Sequence, residues 1–189
     1  MTRLAHLWDQ SRCVMCGACI ASCNDANYHS STKKNETWGW LRSNIRRFNV
    51  ETGPRPMLFL VQCQHCDNAP CVAVCPTGAS YRDPTDGLVK LRPELCIGCK
   101  YCMVACPYNM RWLDDETGLP RKCMGGECLS RVNAGLQPVC VEVCPAGARA
   151  FGDIDDPNSE ISKRLAKSRY VRLLQDKGTE PKYFVVVGP

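Results

Sequence analysis

The chain has 189 residues, a formal net charge of +5 and 44% apolar residues, and sixteen of its residues are cysteine. Apolar content this ordinary excludes a disordered chain, and apolar runs no longer than Met57–Val61 and Phe184–Val187 exclude a membrane-spanning helix, which needs roughly 20 consecutive apolar residues. The basic residues form only pairs such as Lys33–Lys34 and Arg46–Arg47, so no nucleic-acid footprint accompanies the positive balance.

In chain order, the residues before Cys13 include polar Asp9, Gln10 and Ser11 and neither an apolar stretch nor a twin arginine, so no secretory leader is expected there. Cys13–Cys23 (CVMCGACIASC) is spaced C-x2-C-x2-C-x3-C. The 24–62 link holds Trp38, Trp40, Arg42, Arg46 and Arg47, the tryptophans reading as packing or partner contacts. It ends in Met57–Val61, which predicts a strand entering the next group at Gln62–Cys63. The second group, from Cys63, is C-x2-C-x4-C-x3-C. Leu88–Leu91 predicts a short strand before the third group, from Cys96, which repeats the first spacing. The fourth, from Cys123, is C-x4-C-x11-C-x3-C. Asp156–Pro157 predicts a helix start with Asp as N-cap and Pro at the first helical position, Ile161 and Leu165 sharing the buried face. Tyr183–Val187 predicts a final strand.

Every group ends in C-x3-C, and three continue with proline (Pro76, Pro107, Pro145). Three cysteines in a tight loop present three sulfurs to one compact inorganic cube. The fourth follows about one helical turn later, projects from a short helix, and so reaches a different cube. Proline then ends that direction of the chain, and Gly17 and Gly98 let backbone N–H groups approach the cluster. A disulfide framework does not explain triplets at two-residue gaps, and zinc sites use two C-x2-C pairs separated by a spacer. Four [4Fe-4S] clusters therefore account for all sixteen cysteines. At about −2 each they carry about −8, which turns the +5 of the chain into about −3. Lys100, inside group three, and Lys122, just before group four, are the candidates for raising cluster potentials. His65, inside group two, is a candidate hydrogen-bond donor to a cluster sulfur. No nucleophile elbow, P-loop or dinucleotide fingerprint is present, so no catalytic residue is expected.

The runs at 63–83, 96–112 and 140–162, with Lys122–Cys123, resemble the four-cluster ferredoxin-type subunits of molybdopterin oxidoreductases. These serve polysulfide, thiosulfate and dimethyl sulfoxide reductases and formate-dependent nitrite reduction. The resemblance implies an α+β fold of two pseudo-symmetric double-cluster modules with short strands, short helices and long loops. One module comprises 1–62 plus 107–189 and the other 63–106. It implies cluster 1 on Cys13, Cys16, Cys19 and Cys144, and cluster 2 on Cys123, Cys128, Cys140 and Cys23. Cluster 3 would be held by Cys63, Cys66, Cys71 and Cys106, and cluster 4 by Cys96, Cys99, Cys102 and Cys75.

The implied function is electron relay between a molybdopterin (Mo or W) catalytic subunit at cluster 1 and an integral membrane quinone- or haem-binding subunit at cluster 4. No direct membrane insertion and no nucleic-acid partner are implied. The complex would sit peripherally on the membrane, the extracytoplasmic face favoured over the cytoplasmic one. The alternative is a free soluble polyferredoxin, against which the 24–62 insert and the tail after Cys144 both count. Two departures from the family pattern stand out. Group four opens C-x4-C instead of C-x2-C, with Gly125 and Gly126 available to fold the enlarged loop back to the cube, and group one has Asn24 where the trailing proline belongs.

Overall fold

The computed structural model describes residues 2–28, 44–50, 57–114 and 116–188. In order its elements are β1 (Leu4–Asp9), α1 (Ala18–Tyr28), β2 (Ile45–Val50), β3 (Met57–Gln62), α2 (Pro70–Ala73), β4 (Ser80–Arg82), β5 (Val89–Leu91), α3 (Tyr101–Val104), β6 (Trp112–Leu113), β7 (Pro120–Arg121), α4 (Gly126–Asn133), α5 (Val139–Glu142), β8 (Arg149–Asp153), α6 (Glu160–Lys167), β9 (Arg169–Arg172) and β10 (Tyr183–Gly188). This is an α+β protein of short elements. Among the described residues no helix is long and apolar enough to cross a membrane. Trp38, Trp40, Arg42, Lys33 and Lys34 lie outside the described residues.

The largest sheet has the order β8-β1-β10-β9. β1 runs parallel to β10, with His6 opposite Tyr183 and Trp8 opposite Val185. It runs antiparallel to β8, with Trp8 opposite Arg149. Side chains alternate between the faces of a strand. Ala5 and Leu7 therefore pack with Ala150, Phe184, Val186 and Ile161 on one face. Trp8, Tyr183 and Val185 pack on the other with Cys19, Cys23, Cys140, Ile45 and Leu60. With both faces covered, β10 needs apolar residues throughout and reads YFVVV.

α6 closes the face away from the cysteines, and its start differs from the expected one. Ser159, not Asp156, is the N-cap: its Oγ accepts the Ser162 N–H at 3.2 Å. Asp156 instead closes the preceding turn, accepting the Asn158 N–H at 2.8 Å, so Pro157 lies before the helix. Ile161 is fully buried and Leu165 packs beside it, so the two share one face as their spacing predicts. A Cβ at Gly152 would lie 3.3 Å from Ile161 Cγ2, so β8 passes close beneath the helix there.

β2 and β3 form a hairpin with Ile45 opposite Gln62, which delivers Cys63 into the second group. A further core gathers Val61, Ala69, Val89, Tyr108 and Met110 around Cys66, Cys71 and Cys102. Two small hairpins follow a common plan. In β4–β5, Asp83 N–H donates to Leu88 O, Gly87 N–H to Asp83 O, and Lys90 Nζ to Asp83 Oδ2. In β6–β7, Asp114 N–H donates to Leu119 O, Gly118 N–H to Asp114 O, and Arg121 Nε to Asp114 Oδ2. Each hairpin connects the fourth cysteine of one group to the first of the next.

Candidate functional site

Local backbone conformation shapes the cysteine loops. The residue before the second cysteine is left-handed in groups one, two and three (Met15, φ 55°; His65, φ 45°; Gly98, φ 67°). The residue after it is left-handed in groups one and three (Gly17, φ 77°; Lys100, φ 65°). Alternating hand turns successive backbone N–H groups toward one concave side, a nest for anions. The third cysteine of each group then lies in a helix: Cys19 in α1, Cys71 in α2, Cys102 in α3 and Cys140 in α5. Where Pro76, Pro107 or Pro145 follows, the helix stops after four residues, at Ala73, Val104 and Glu142. Where Asn24 follows, α1 continues through Cys23 to Tyr28, so of the fourth cysteines expected on helices only Cys23 lies in one, while Cys75, Cys106 and Cys144 stand in the turns just beyond.

The expected ligands converge. One cavity is lined by Cys13, Cys16, Cys19 and Cys144, together with Arg149. A second is lined by Cys63, Cys66, Cys71 and Cys106, and a third by Cys75, Cys96, Cys99 and Cys102, with Lys100 at its edge. Cys23, Cys128 and Cys140 form the fourth gathering, with Cys123 near enough to interact electrostatically with Cys140 and Cys23. Asn27 Nδ2 lies 3.5 Å from Cys128 Sγ and 3.9 Å from Cys23 Sγ, and Cys140 packs beside Cys23. All sixteen thiols are free. Backbone amides aim at the fourth sulfur in the three proline-terminated groups: Ser80 N to Cys75 Sγ at 3.3 Å, Met110 N to Cys106 Sγ at 3.5 Å, and Ala148 N to Cys144 Sγ at 3.2 Å.

Group four accommodates its extra residues differently from expectation. The segment does not fold back as a glycine loop: Met124 takes the left-handed turn (φ 63°), and α4 begins at once with Cys128 buried in its first turn. Gly125 serves close approach instead. A Cβ there would lie 2.6 Å from Asn27 Oδ1, on the extra turn that α1 gains from Asn24.

The electrostatics suit an anionic group. Burial pushes the Cys66 and Cys23 thiols up to about 12, neighbouring thiols adding to it, and holds Cys140 up at about 11. Metal binding displaces the proton from such thiols. Cys75 goes the other way: hydrogen bonds from the Ser80 N–H and from Thr77 outweigh its partial burial. Arg111 and Arg149 are 2% and 3% exposed and take part in no described ion pair. Arg111 Nη2 donates to Cys71 Sγ at 3.3 Å and Ser80 Oγ at 2.6 Å. Arg149 Nη1 donates to Gln62 Oε1 at 2.6 Å, while its Nε and Nη2 make no hydrogen bond among the described residues. Burial opposes each charge, but negative charge on nearby cysteine sulfurs (Cys71 and Cys102; Cys140 and Cys19) outweighs it and raises both guanidinium pKa values. A buried cation without a counter-ion is costly. Sulfurs in fours, inward amides and uncompensated buried cations together fit iron–sulfur cubes, whose net charge is negative.

Lys122 is buried, its Nζ donating to Cys123 O at 2.8 Å, whereas Lys100 is exposed. His65 Nδ1 accepts the Val89 N–H at 3.1 Å, while its Nε2 lies with His6 and Cys123 in a buried trio. His6 Nε2 is 3.8 Å from Cys123 Sγ. Sequence reasoning missed His6, Asn27, Arg111 and Arg149. The arginines carried a readable signal, since each stands five residues after a fourth cysteine, Cys106 or Cys144.

Comparison with known proteins agrees with this geometry. Two family models described as 4Fe-4S dicluster domains match residues 12–79 and 56–154. The sequence is 42% identical to the protein NrfC of Escherichia coli, covering 97% of this chain and 80% of that protein. It is 38% identical to a polysulfide reductase chain of Wolinella succinogenes, covering 94% and 91%. It is 39% identical to a tetrathionate reductase subunit of Salmonella typhimurium, covering 96% and 71%.

Proposed function

Because this protein belongs to the 4Fe-4S dicluster family and is an iron–sulfur electron-transfer subunit with four [4Fe-4S] clusters and no catalytic role of its own, we propose that it links a molybdopterin (Mo or W) catalytic subunit to an integral membrane quinone- or haem-binding subunit. The proposed ligand sets are Cys13, Cys16, Cys19 and Cys144 for cluster 1; Cys123, Cys128, Cys140 and Cys23 for cluster 2; Cys63, Cys66, Cys71 and Cys106 for cluster 3; and Cys96, Cys99, Cys102 and Cys75 for cluster 4. Clusters 1 and 2 belong to a module of residues 1–62 plus 107–189, and clusters 3 and 4 to a pseudo-symmetric module of residues 63–106. The three four-cysteine cavities, and the shared plan of the two small hairpins, support this arrangement. When bound, each cluster supplies one-electron redox chemistry. The protein holds the sulfurs dry, supplies amide donors and balances charge, with Lys122 and Lys100 as proposed contributors to the potentials.

One observation carries the two-partner reading. Of the sixteen cysteines only Cys16 and Cys99 are exposed, and they belong to the two clusters proposed as terminal. Apolar side chains near both in sequence stand in solvent: Val14 at 66%, two residues before Cys16, and Ile97 at 68%, Tyr101 at 62% and Val104 at 86%, within five residues of Cys99. Exposed apolar collars of this kind mark interaction surfaces. The protein is then peripheral to the membrane within its complex, with the extracytoplasmic face favoured.

The test is metal analysis of the complex purified anaerobically from the native host. About 16 iron per chain, plus molybdenum or tungsten in a co-purifying subunit, supports the reading. The same iron in a species eluting at 21.1 kDa, without molybdenum or tungsten, indicates a free polyferredoxin instead. Zinc in place of iron overturns it.

A further inference from the structure

We propose that Arg111 and Arg149 are equivalent potential-setting residues, each wedged between the two cysteine sets of one module and acting on both sets at once. The inference rests on the four-cluster reading above and adds a role for two residues outside the ligand sets. Arg149 opens β8 and lines the Cys13, Cys16, Cys19, Cys144 cavity, and it donates to Gln62, whose Nε2 lies 4.0 Å from Cys123 Sγ of the neighbouring set. Arg111 lines the Cys63, Cys66, Cys71, Cys106 cavity and touches Cys71 at 3.3 Å, and it donates to Ser80, whose backbone N lies 3.3 Å from Cys75 Sγ of the neighbouring set. Each follows a fourth cysteine by five residues, so the same step out of the C-x3-C turn delivers both. In the equivalent position after Cys75 stands Ser80, whose Oγ accepts from Arg111 at 2.6 Å.

Both guanidiniums are almost fully buried and have no carboxylate partner among the described residues, whereas Lys182 pairs with Asp67, and Lys90 with Asp83 and Asp86. Burying an uncompensated charge is strongly unfavourable. The compensation available is the sulfur sets themselves. A fixed cation stabilises the more negative, reduced state of a nearby centre and so raises its potential. Placed between two centres it raises both, which keeps the pair close in potential.

The experiment is an EPR-monitored redox titration of the intact complex carrying Arg149→Met, Arg149→Gln or Arg149→Lys, and the same three changes at Arg111. The expected result is that each neutral substitution moves two of the four midpoints downward and leaves two in place. The two moved by Arg149 variants are those left in place by Arg111 variants, and lysine restores most of the shift. The glutamine variants keep a hydrogen-bonding side chain, so they report if the methionine variants lose clusters. Unmoved midpoints, a uniform shift of all four, or lysine variants shifted as far as the neutral ones would overturn the proposal while the four-cluster reading stands. Fewer than four titrating centres in the unsubstituted complex would overturn the four-cluster reading itself.

Discussion

Asn27 holds Cys128 through both ends of its amide: Oδ1 accepts the Cys128 backbone N–H at 3.3 Å, and Nδ2 lies 3.5 Å from the Cys128 sulfur. The same Nδ2 donates to Cys23 O at 3.0 Å, so one side chain ties α1 to the first turn of α4. Asn27→Ala removes these bonds and leaves a half-buried amide unpaired, a loss of about 1–3 kcal/mol. The expected outcome is a cluster 2 that degrades selectively, read as a three-iron EPR signal and an iron content near ~15 instead of ~16 per chain. An unchanged spectrum and iron content would remove Asn27 from the support of Cys128.

The two departures of this sequence from its family pattern are coupled through that contact. Asn24→Pro restores the trailing proline and should break α1 after Cys23, at about 3 kcal/mol. Because it also withdraws Asn27, it should reproduce the Asn27→Ala spectrum and add a lower melting temperature. A variant as stable as the parent would show that the extra turn carries no weight.

Gly125 meets the other side of Asn27. An alanine Cβ would fall 2.6 Å from Oδ1 and 2.8 Å from Asn27 Cβ, so Gly125→Ala should destabilise by about 1–3 kcal/mol. Combined with Asn27→Gly the penalty should largely vanish, and a double-mutant cycle of unfolding free energies measures the coupling. Additive losses would mean the two residues do not meet.

The cap of α6 offers a clean comparison. Ser159→Ala should cost about 1 kcal/mol, because Ser162 N–H loses its acceptor. Asp156→Ala should cost less, since it opens only an exposed turn. Denaturant midpoints of the two variants decide the order, and the reverse order would return the cap to Asp156.

Asp83 carries a pH signature. A hydrogen bond from the Lys90 ammonium, aided by Thr85, holds its carboxyl down at about 2. A depressed folded-state pKa contributes stability above the unfolded value near 3.8, and that contribution fades as pH falls toward 2. The gap in unfolding free energy between parent and Asp83→Asn should therefore be flat from about pH 5 to about pH 8, at about 1–2 kcal/mol. A gap that changes across that interval would mean another group is responsible.

The cysteine groups were legible because ligand spacing is itself the local geometry, but the helix expected at each fourth cysteine holds the third instead, since the short helices end before Cys75, Cys106 and Cys144. The strand at Met57–Gln62 was legible for a similar reason, an apolar run meeting a polar turn. β1 was not: LAHLWD is buried on both faces, so it carries no polar alternation to betray it. The start of α6 was displaced because Asp156–Pro157 and Ser159–Glu160 both write a helix-start signature three residues apart, and only packing of Ile161 chooses between them. Lys100 drew notice because it sits inside a cysteine motif, yet it stands exposed at a left-handed residue. Arg111 and Arg149 share a sequence signal, five residues after a fourth cysteine, but only their burial among sulfurs gives that spacing a meaning.

The position of β1 bears on the order in which a nascent polypeptide becomes whole. Its neighbours, β8 and β10, are Arg149–Asp153 and Tyr183–Gly188, so β1 leaves the ribosome well over a hundred residues before either partner exists. The two cavities that hold the sulfurs of groups two and three, by contrast, are lined by residues between 63 and 120 alone. The middle of the polypeptide is thus free to mature while its two ends still wait for each other, and a ribosome that stalls before residue 183 leaves Trp8 and the four thiols around it open to oxygen.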